Sequence, residues 1–149
     1  MKSDPGRIFR IANSLGWTIK FGVWPIDDSV SYHQKVLTLA VMSPKDMTVK
    51  PVHASLQIVQ SIAHEIGHYI VAPPSRRYRK DYGIPRDHRN DAYWNLDEMK
   101  ARFVERELVR ACGMKRANVL LISGVYKKPA EMWWEQEGKH LVAGLLLIK

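Results

Sequence analysis

Between Val52 and Ile70 the apolar residues Val52, Leu56, Val59, Ile62, Ala63, Ile66 and Ile70 recur at steps of three and four. That is the period of a helix with one buried face. A chain that carries it must supply other elements to cover that face. Pro51 suits the first turn, where its missing N–H is not needed, and Ala72-Pro73-Pro74 stops the helix. Gly67 costs a helix about 1 kcal/mol relative to Ala. Its presence predicts that something approaches the helix closely at that point.

Inside this helix, residues 64–68 read His-Glu-Ile-Gly-His. Positions i and i+4 lie one above the other on a helix face, so His64 and His68 can aim two imidazoles at one point. Tetrahedral Zn²⁺ takes nitrogen ligands at about 2.0–2.1 Å, which this spacing suits. Glu65 stands beside the first ligand, where its carboxylate reaches a water on the metal rather than the metal itself. The pattern specifies metal-assisted hydrolysis, not merely metal binding. Chance alone produces H-E-x-x-H in on the order of one chain of this length in a few hundred. The plainer alternative is a pair of ordinary helical histidines, and the amphipathic context weighs against it.

Composition narrows the ligands further. The chain has 149 residues, 46% of them hydrophobic, which predicts one packed domain over 1–149. Cys112 is the single cysteine. An intrachain disulfide and a C-x-x-C zinc site are therefore excluded, and a metal must be held by histidine and carboxylate. Met1 to Arg10 is charged and lacks an apolar signal core. The longest apolar run, Leu141 to Ile148, falls far short of a membrane span. A cytoplasmic protein without a membrane partner is expected.

The formal charge is +8. Residues 75–90 hold Arg76, Arg77, Arg79, Lys80, Arg86 and Arg89 against Asp81 and Asp87, which gives six minus two, or half of that total. The segment reads either as a patch for weak nucleic-acid contact or as a solvated basic loop. No nucleic-acid fold signature accompanies it, which favours the loop.

Other elements follow from pattern. Asp4 as N-cap and Pro5 at the first position open a helix with the stripe Ile8, Ile11, Ala12 and Leu15, ended by Gly16. Trp17–Val23 alternates as a strand, Pro25–Ser31 is a turn, and Val36–Met42 is a second strand that could start near Tyr32. Residues 72–94 form a long connection. Asn95 or Asp97 caps a helix running to about Cys112, with Gly113 as its stop. Val119–Ser123 is apolar and fits strand or helix. Pro129–Glu137 reads as a helix bearing Trp133 and Trp134, and Leu141–Ile148 as a buried strand or helix. Strands before the motif helix and helices after it predict an α+β domain: a small antiparallel or mixed sheet packed on that helix.

Two histidines do not complete a catalytic zinc site, which uses three protein ligands. His88, Asp97, Glu98, Glu105 and Glu107 follow downstream. Glu98 and Glu105 flank the apolar arc of Leu96, Ala101, Phe103, Val104, Leu108 and Cys112, and Asp97 falls inside it. Spacing leaves these open. They could equally be surface acids paired with Lys100, Arg102 and Arg106.

The layout from Ile8 to Val109 resembles the ImmA/IrrE-like metallopeptidases, zincins whose third ligand is a glutamate. An N-terminal helix and strands lead to an apolar helix running into Ser61-Ile-Ala-His-Glu-Ile-Gly-His68. A variable loop and a glutamate-bearing helix follow. That family's glutamate helix resembles E-x-x-A-N. Glu98-Met99-Lys100-Ala101-Arg102 matches the Glu and the Ala, and Arg102 replaces the Asn. The resemblance implies a zincin-like domain, Zn²⁺ held by His64, His68 and Glu98, and Glu65 as general base. It also implies a cytoplasmic protease acting on a protein or peptide, often a repressor or regulator, and sometimes encoded by phage or mobile elements. His88, Tyr82, Tyr93 or Arg86 could donate to the oxyanion, and strand Val36–Met42 could offer its edge to an extended substrate.

Two alternatives stand beside this. A SprT-like protease working on DNA-bound proteins would use the basic loop and a third histidine, for which His88 is the candidate. A zincin-fold binding module would keep the metal and act without proteolysis. His53 lies about 16 Å along the helix from His64 and cannot share its metal; it reads as helix start or groove lining. His33 and His140 carry no spacing signal.

Overall fold

Gln34 and Lys35 both adopt left-handed backbone, with φ of 49° and 69°, and this two-residue reversal joins β2 (Val30–His33) to β3 (Val36–Val41) as a hairpin. Paired positive φ values match the twist of the flanking strands. The structure is a computed structural model that describes residues 2–23, 30–79, 82, 92–115 and 126–148, with backbone alone at 30, 31 and 92–95. β1 (Thr18–Val23) pairs with β3 in parallel, Thr18 opposite Val36 through Val23 opposite Val41. β2 pairs with β3 antiparallel, Val30 opposite Leu39 through His33 opposite Val36. The sheet is therefore mixed, in the order β1-β3-β2.

That order corrects one expectation. β1 pairs along all of Val36–Val41 and β2 along Val36–Leu39, so the stretch Val36–Leu39 has no free edge for a substrate. Tyr32 belongs to the preceding strand rather than to the start of this one. Along β3, Leu37, Leu39 and Val41 are buried and alternate with half-buried neighbours, the period of a strand with one core face.

Helix α1 (Gly6–Ser14) buries Ile8, Ile11 and Ala12 and ends at Gly16, whose φ is +82°. Asp4 does not cap it: Pro5 holds the cap position without a side-chain bond, and the Asp4 carboxylate takes Arg10 Nη2 at 2.6 Å. Arg7 reaches from α1 to the C-terminal ends of two later helices, donating to Ala111 O at 3.1 Å and Leu146 O at 2.9 Å. A cation on terminal helix carbonyls satisfies orphan acceptors and opposes the dipole.

The motif helix α2 spans Leu56–Val71. Its cap is Ser55, whose Oγ accepts from Ile58 N at 3.3 Å. Pro51 instead opens a separate 3₁₀ turn, Pro51–His53, which leaves Val52 exposed and outside the buried stripe. Ala72 turns extended at the far end. There the Arg77 guanidinium caps the helix, giving Nε to Tyr69 O at 2.9 Å and Nη2 to Ala72 O at 3.1 Å.

Helix α3 runs from Ala92 to Ala111. It begins well before Asn95 and Asp97, so neither is its N-cap, and Asp97 is buried in its interior. Gly113, with φ +72°, follows its end. A Cβ on Gly67 would lie 2.7 Å from Ala101 O and 3.0 Å from Ala101 Cα. The close approach predicted at Gly67 is thus made by α3. α4 (Lys127–Trp133), a π turn at Trp134–Gly138 and α5 (Lys139–Leu145) complete the described chain. Trp134 stacks on Phe103 of α3 at 5.7 Å. The C-terminal apolar run is helical to Leu145 and only partly covered: Val142 is buried, whereas Leu141 and Leu147 are exposed.

One core joins these layers, from Leu37 and Leu39 of the sheet through Ile8 and Ile11 of α1 to Val59, Ile62 and Ile66 of α2 and Val104 and Leu108 of α3. Among the described residues no helix is long and apolar enough to cross a membrane. Val119–Ser123, Arg86, His88, most of Pro25–Ser31 and the Tyr93 side chain lie outside the described residues.

Candidate metal centre

One turn of α2 separates His64 from His68, and their rings meet edge to face at 4.7 Å between centroids. The two Nε2 atoms stand 3.1 Å apart. Glu98 of α3 faces both, with Oε1 2.9 Å from His64 Nε2 and Oε2 2.9 Å from His68 Nε2. Two donors held tetrahedrally at 2.0–2.1 Å from one ion lie about 3.3–3.4 Å apart. The Nε2–Nε2 spacing comes within a few tenths of an ångström of that edge. These three residues form a group that could hold a metal ion. Two imidazoles and a carboxylate are a donor set that divalent transition metals accept.

The other acids of α3 have different tasks. Glu105, 3% exposed, accepts the Nδ1–H of His64 at 2.9 Å. That bond holds the His64 ring so that Nε2 faces the shared point. It is the carboxylate–imidazole pairing that orients histidine ligands in metal sites. Asp97 lies 4.0 Å from Arg76 Nη2, and burial raises its carboxyl above the usual range. Glu107 binds Arg106 and Arg110 at 3.2 and 3.0 Å, as a surface acid does. Of the four acids weighed on this helix, the fold brings only Glu98 to both histidines.

Charge in the group is strongly coupled. Burial opposes the imidazolium at His64, but hydrogen bonds to Glu105 and Glu98 overcome it and push the ring up to about 10. Burial opposes the Glu98 carboxylate, yet the hydrogen bonds from His64 and His68 hold it well below the usual carboxylate range. The site as built attracts one compact positive charge between the rings and the acid. A proton on His64 supplies it, and so would a cation.

Glu65 is not part of the ligand group. Its Oε2 accepts from the Tyr82 hydroxyl at 2.6 Å, and its main-chain oxygen is 3.0 Å from the same hydroxyl. Tyr82 is 3% exposed and has φ of 57°, a conformation that costs a non-glycine residue about 1–2 kcal/mol. Its ring stacks on Tyr32 at 4.5 Å and on His68 at 5.6 Å. Trp17 lies against Tyr32 at 5.0 Å, so an aromatic column runs from the sheet to a candidate ligand. Nothing in the spacing of the sequence singled out Tyr32, and Tyr82 stood only among four candidates for a different task.

Two cations of the basic segment are spent internally: Arg76 Nη1 on Tyr82 O at 2.9 Å and Arg77 on the end of α2. Arg79 is exposed. His53 lies on its 3₁₀ turn and lines a surface groove of about 560 Å³ with Val41, Met42, Val49 and Ile58, apart from the metal group. No protein-family model, curated protein or solved structure matches this chain.

Proposed function

We propose that this chain is a zinc-dependent peptidase of the zincin type. The observation that supports it most is the meeting of His64, His68 and Glu98 from two helices, with the acid next to His64 left out of the ligand group. A hydrolase needs such an acid beside the metal to move the proton of the attacking water.

Zn²⁺ held by the three residues would polarise the scissile carbonyl and make the attacking water more acidic. Glu65 takes the proton of that water and delivers it to the leaving amine. Glu105 holds His64 in its ligating tautomer. Glu98 and His64 keep 20% of their side chains exposed, which leaves the centre reachable from solvent. The resemblance to ImmA/IrrE-like enzymes supports a regulator or repressor inside the cell as substrate. A protease directed at DNA-bound proteins draws less support, because Arg76 and Arg77 serve the fold.

The decisive experiment loads purified protein with zinc and follows cleavage of a proteome-derived peptide library. Wild type is expected to cut and Glu65→Gln to bind equal zinc without cutting. Equal cleavage by both proteins would remove Glu65 as the base. Zinc uptake with no cleavage by wild type would leave a binding module instead.

A further inference from the structure

We propose that Tyr82 is a positioning residue that sets the orientation of Glu65 at the metal centre; this rests on the assignment of Glu65 as general base. The Tyr82 hydroxyl meets Glu65 Oε2 at 2.6 Å, the length of a strong bond from a phenol to a carboxylate. A glutamate side chain has several staggered rotamers open to it. With one oxygen tied down, the carboxylate presents its other oxygen in a single direction, and proton transfer depends on such pre-alignment.

Tyr82 is itself held from several sides. Its ring lies between Tyr32 and His68, nearly parallel to each, at 12° and 18°. Its N–H donates to Arg79 O at 3.0 Å, and its carbonyl accepts Arg76 Nη1 at 2.9 Å. Arg76 in turn stands 4.0 Å from Asp97 on α3. The left-handed backbone at Tyr82 is the kind of strain that surroundings must over-determine, and such strain gathers at functional sites. A buried tyrosine hydroxyl needs an acceptor, and here the acceptor is the acid of the His-Glu-x-x-His motif.

The test uses the full chain loaded with Co²⁺ and titrated with acetohydroxamate, followed by the visible absorption of the metal. A hydroxamate chelates the ion and offers a hydroxyl to a neighbouring base, so it reports Glu65 without any turnover. Glu65→Gln is expected to weaken binding about tenfold and Tyr82→Phe about three- to tenfold. The double variant should bind no more weakly than Glu65→Gln alone, since Tyr82 acts through Glu65. Cleavage of a peptide substrate by Tyr82→Phe should fall in kcat by about ten- to a hundredfold with KM within about twofold. Wild-type hydroxamate affinity in Tyr82→Phe, or losses that multiply in the double variant, would overturn the proposal. An unaffected Glu65→Gln would instead remove the base assignment, and the proposal with it. Thermal unfolding of the same four proteins gives a second cycle: less-than-additive losses in Tm support the Glu65–Tyr82 coupling, and additive losses refute it.

Discussion

Gly67 and Ala101 let two helices touch backbone to backbone: a Cβ on Gly67 would stand 2.7 Å from Ala101 O. Ala101 lies one turn beyond Glu98 on α3, and Gly67 lies between His64 and His68 on α2. The contact therefore sets the helix spacing at the level where the carboxylate meets the imidazoles. In an isolated helix Gly67→Ala would gain about 1 kcal/mol. Here overpacking against backbone outweighs that, and we expect a net loss of about 1–3 kcal/mol by urea unfolding. Zinc affinity should fall as well, read by competition with a chromophoric chelator, because Glu98 is pushed from the histidines.

Glu98 and Glu105 both contact His64, yet they predict different outcomes. Glu98→Ala removes a ligand, and dialysed protein should retain almost no zinc by elemental analysis. Glu105→Gln keeps all three donors and disturbs only the orientation of His64, which costs on the order of tenfold in metal affinity. Asp97→Asn should leave metal content unchanged. Full zinc in the Glu98 variant would exclude it from the centre.

The ionisation of the group predicts opposite pH trends with and without metal. The His64 ring is raised from 6.5 to about 10, so its contribution to stability is complete below 6.5 and fades as pH climbs toward 10. Glu98 is lowered from 4.5, so its contribution is complete above 4.5 and fades as pH drops. Chelator-treated protein should therefore have its highest Tm between those two limits and lose stability from pH 7 upward. Zinc must displace the His64 proton, so affinity should rise with pH and binding at pH 7 should release a proton. Calorimetry in buffers of different ionisation enthalpy measures that release. A pH-independent zinc affinity would contradict it.

Arg77 should act on stability alone. Its guanidinium covers carbonyls at the end of the metal-bearing helix, and its own carbonyl accepts from the Tyr32 hydroxyl at 3.1 Å. Arg77→Met should cost about 1.5–3 kcal/mol, the range for a hydrogen bond to a charged group, with zinc stoichiometry intact. Guanidinium chloride unfolding monitored by tryptophan fluorescence checks this.

Much of the site was legible because it lies on helices, where residue spacing translates directly into direction. His64 and His68 at i and i+4 needed no tertiary information. The stop at Gly16 and the close approach at Gly67 were legible too, since each follows from the missing Cβ. The hairpin was not: Gln34-Lys35 adopts the backbone that Asn-Gly usually marks, and neither side chain announces it. The helix boundaries at Pro51 and Asp97 also misled, because a good cap residue can as well open a 3₁₀ turn or sit buried inside a helix.

The amino-acid sequence alone determined that two imidazoles would share a helix face beside an acid, that no thiol pair could replace them, and that a second helix would carry several carboxylates. Only the tertiary structure decided which carboxylate does what. Glu98 and Glu105 share one face of α3 two turns apart, and the angle and depth at which α3 crosses α2 send the first to both Nε2 atoms and the second to His64 Nδ1. The same holds for Tyr82, which meets Glu65 from seventeen residues away. Packing of distant elements, not local periodicity, fixes such contacts, because the chain between them has no repeat that encodes a direction.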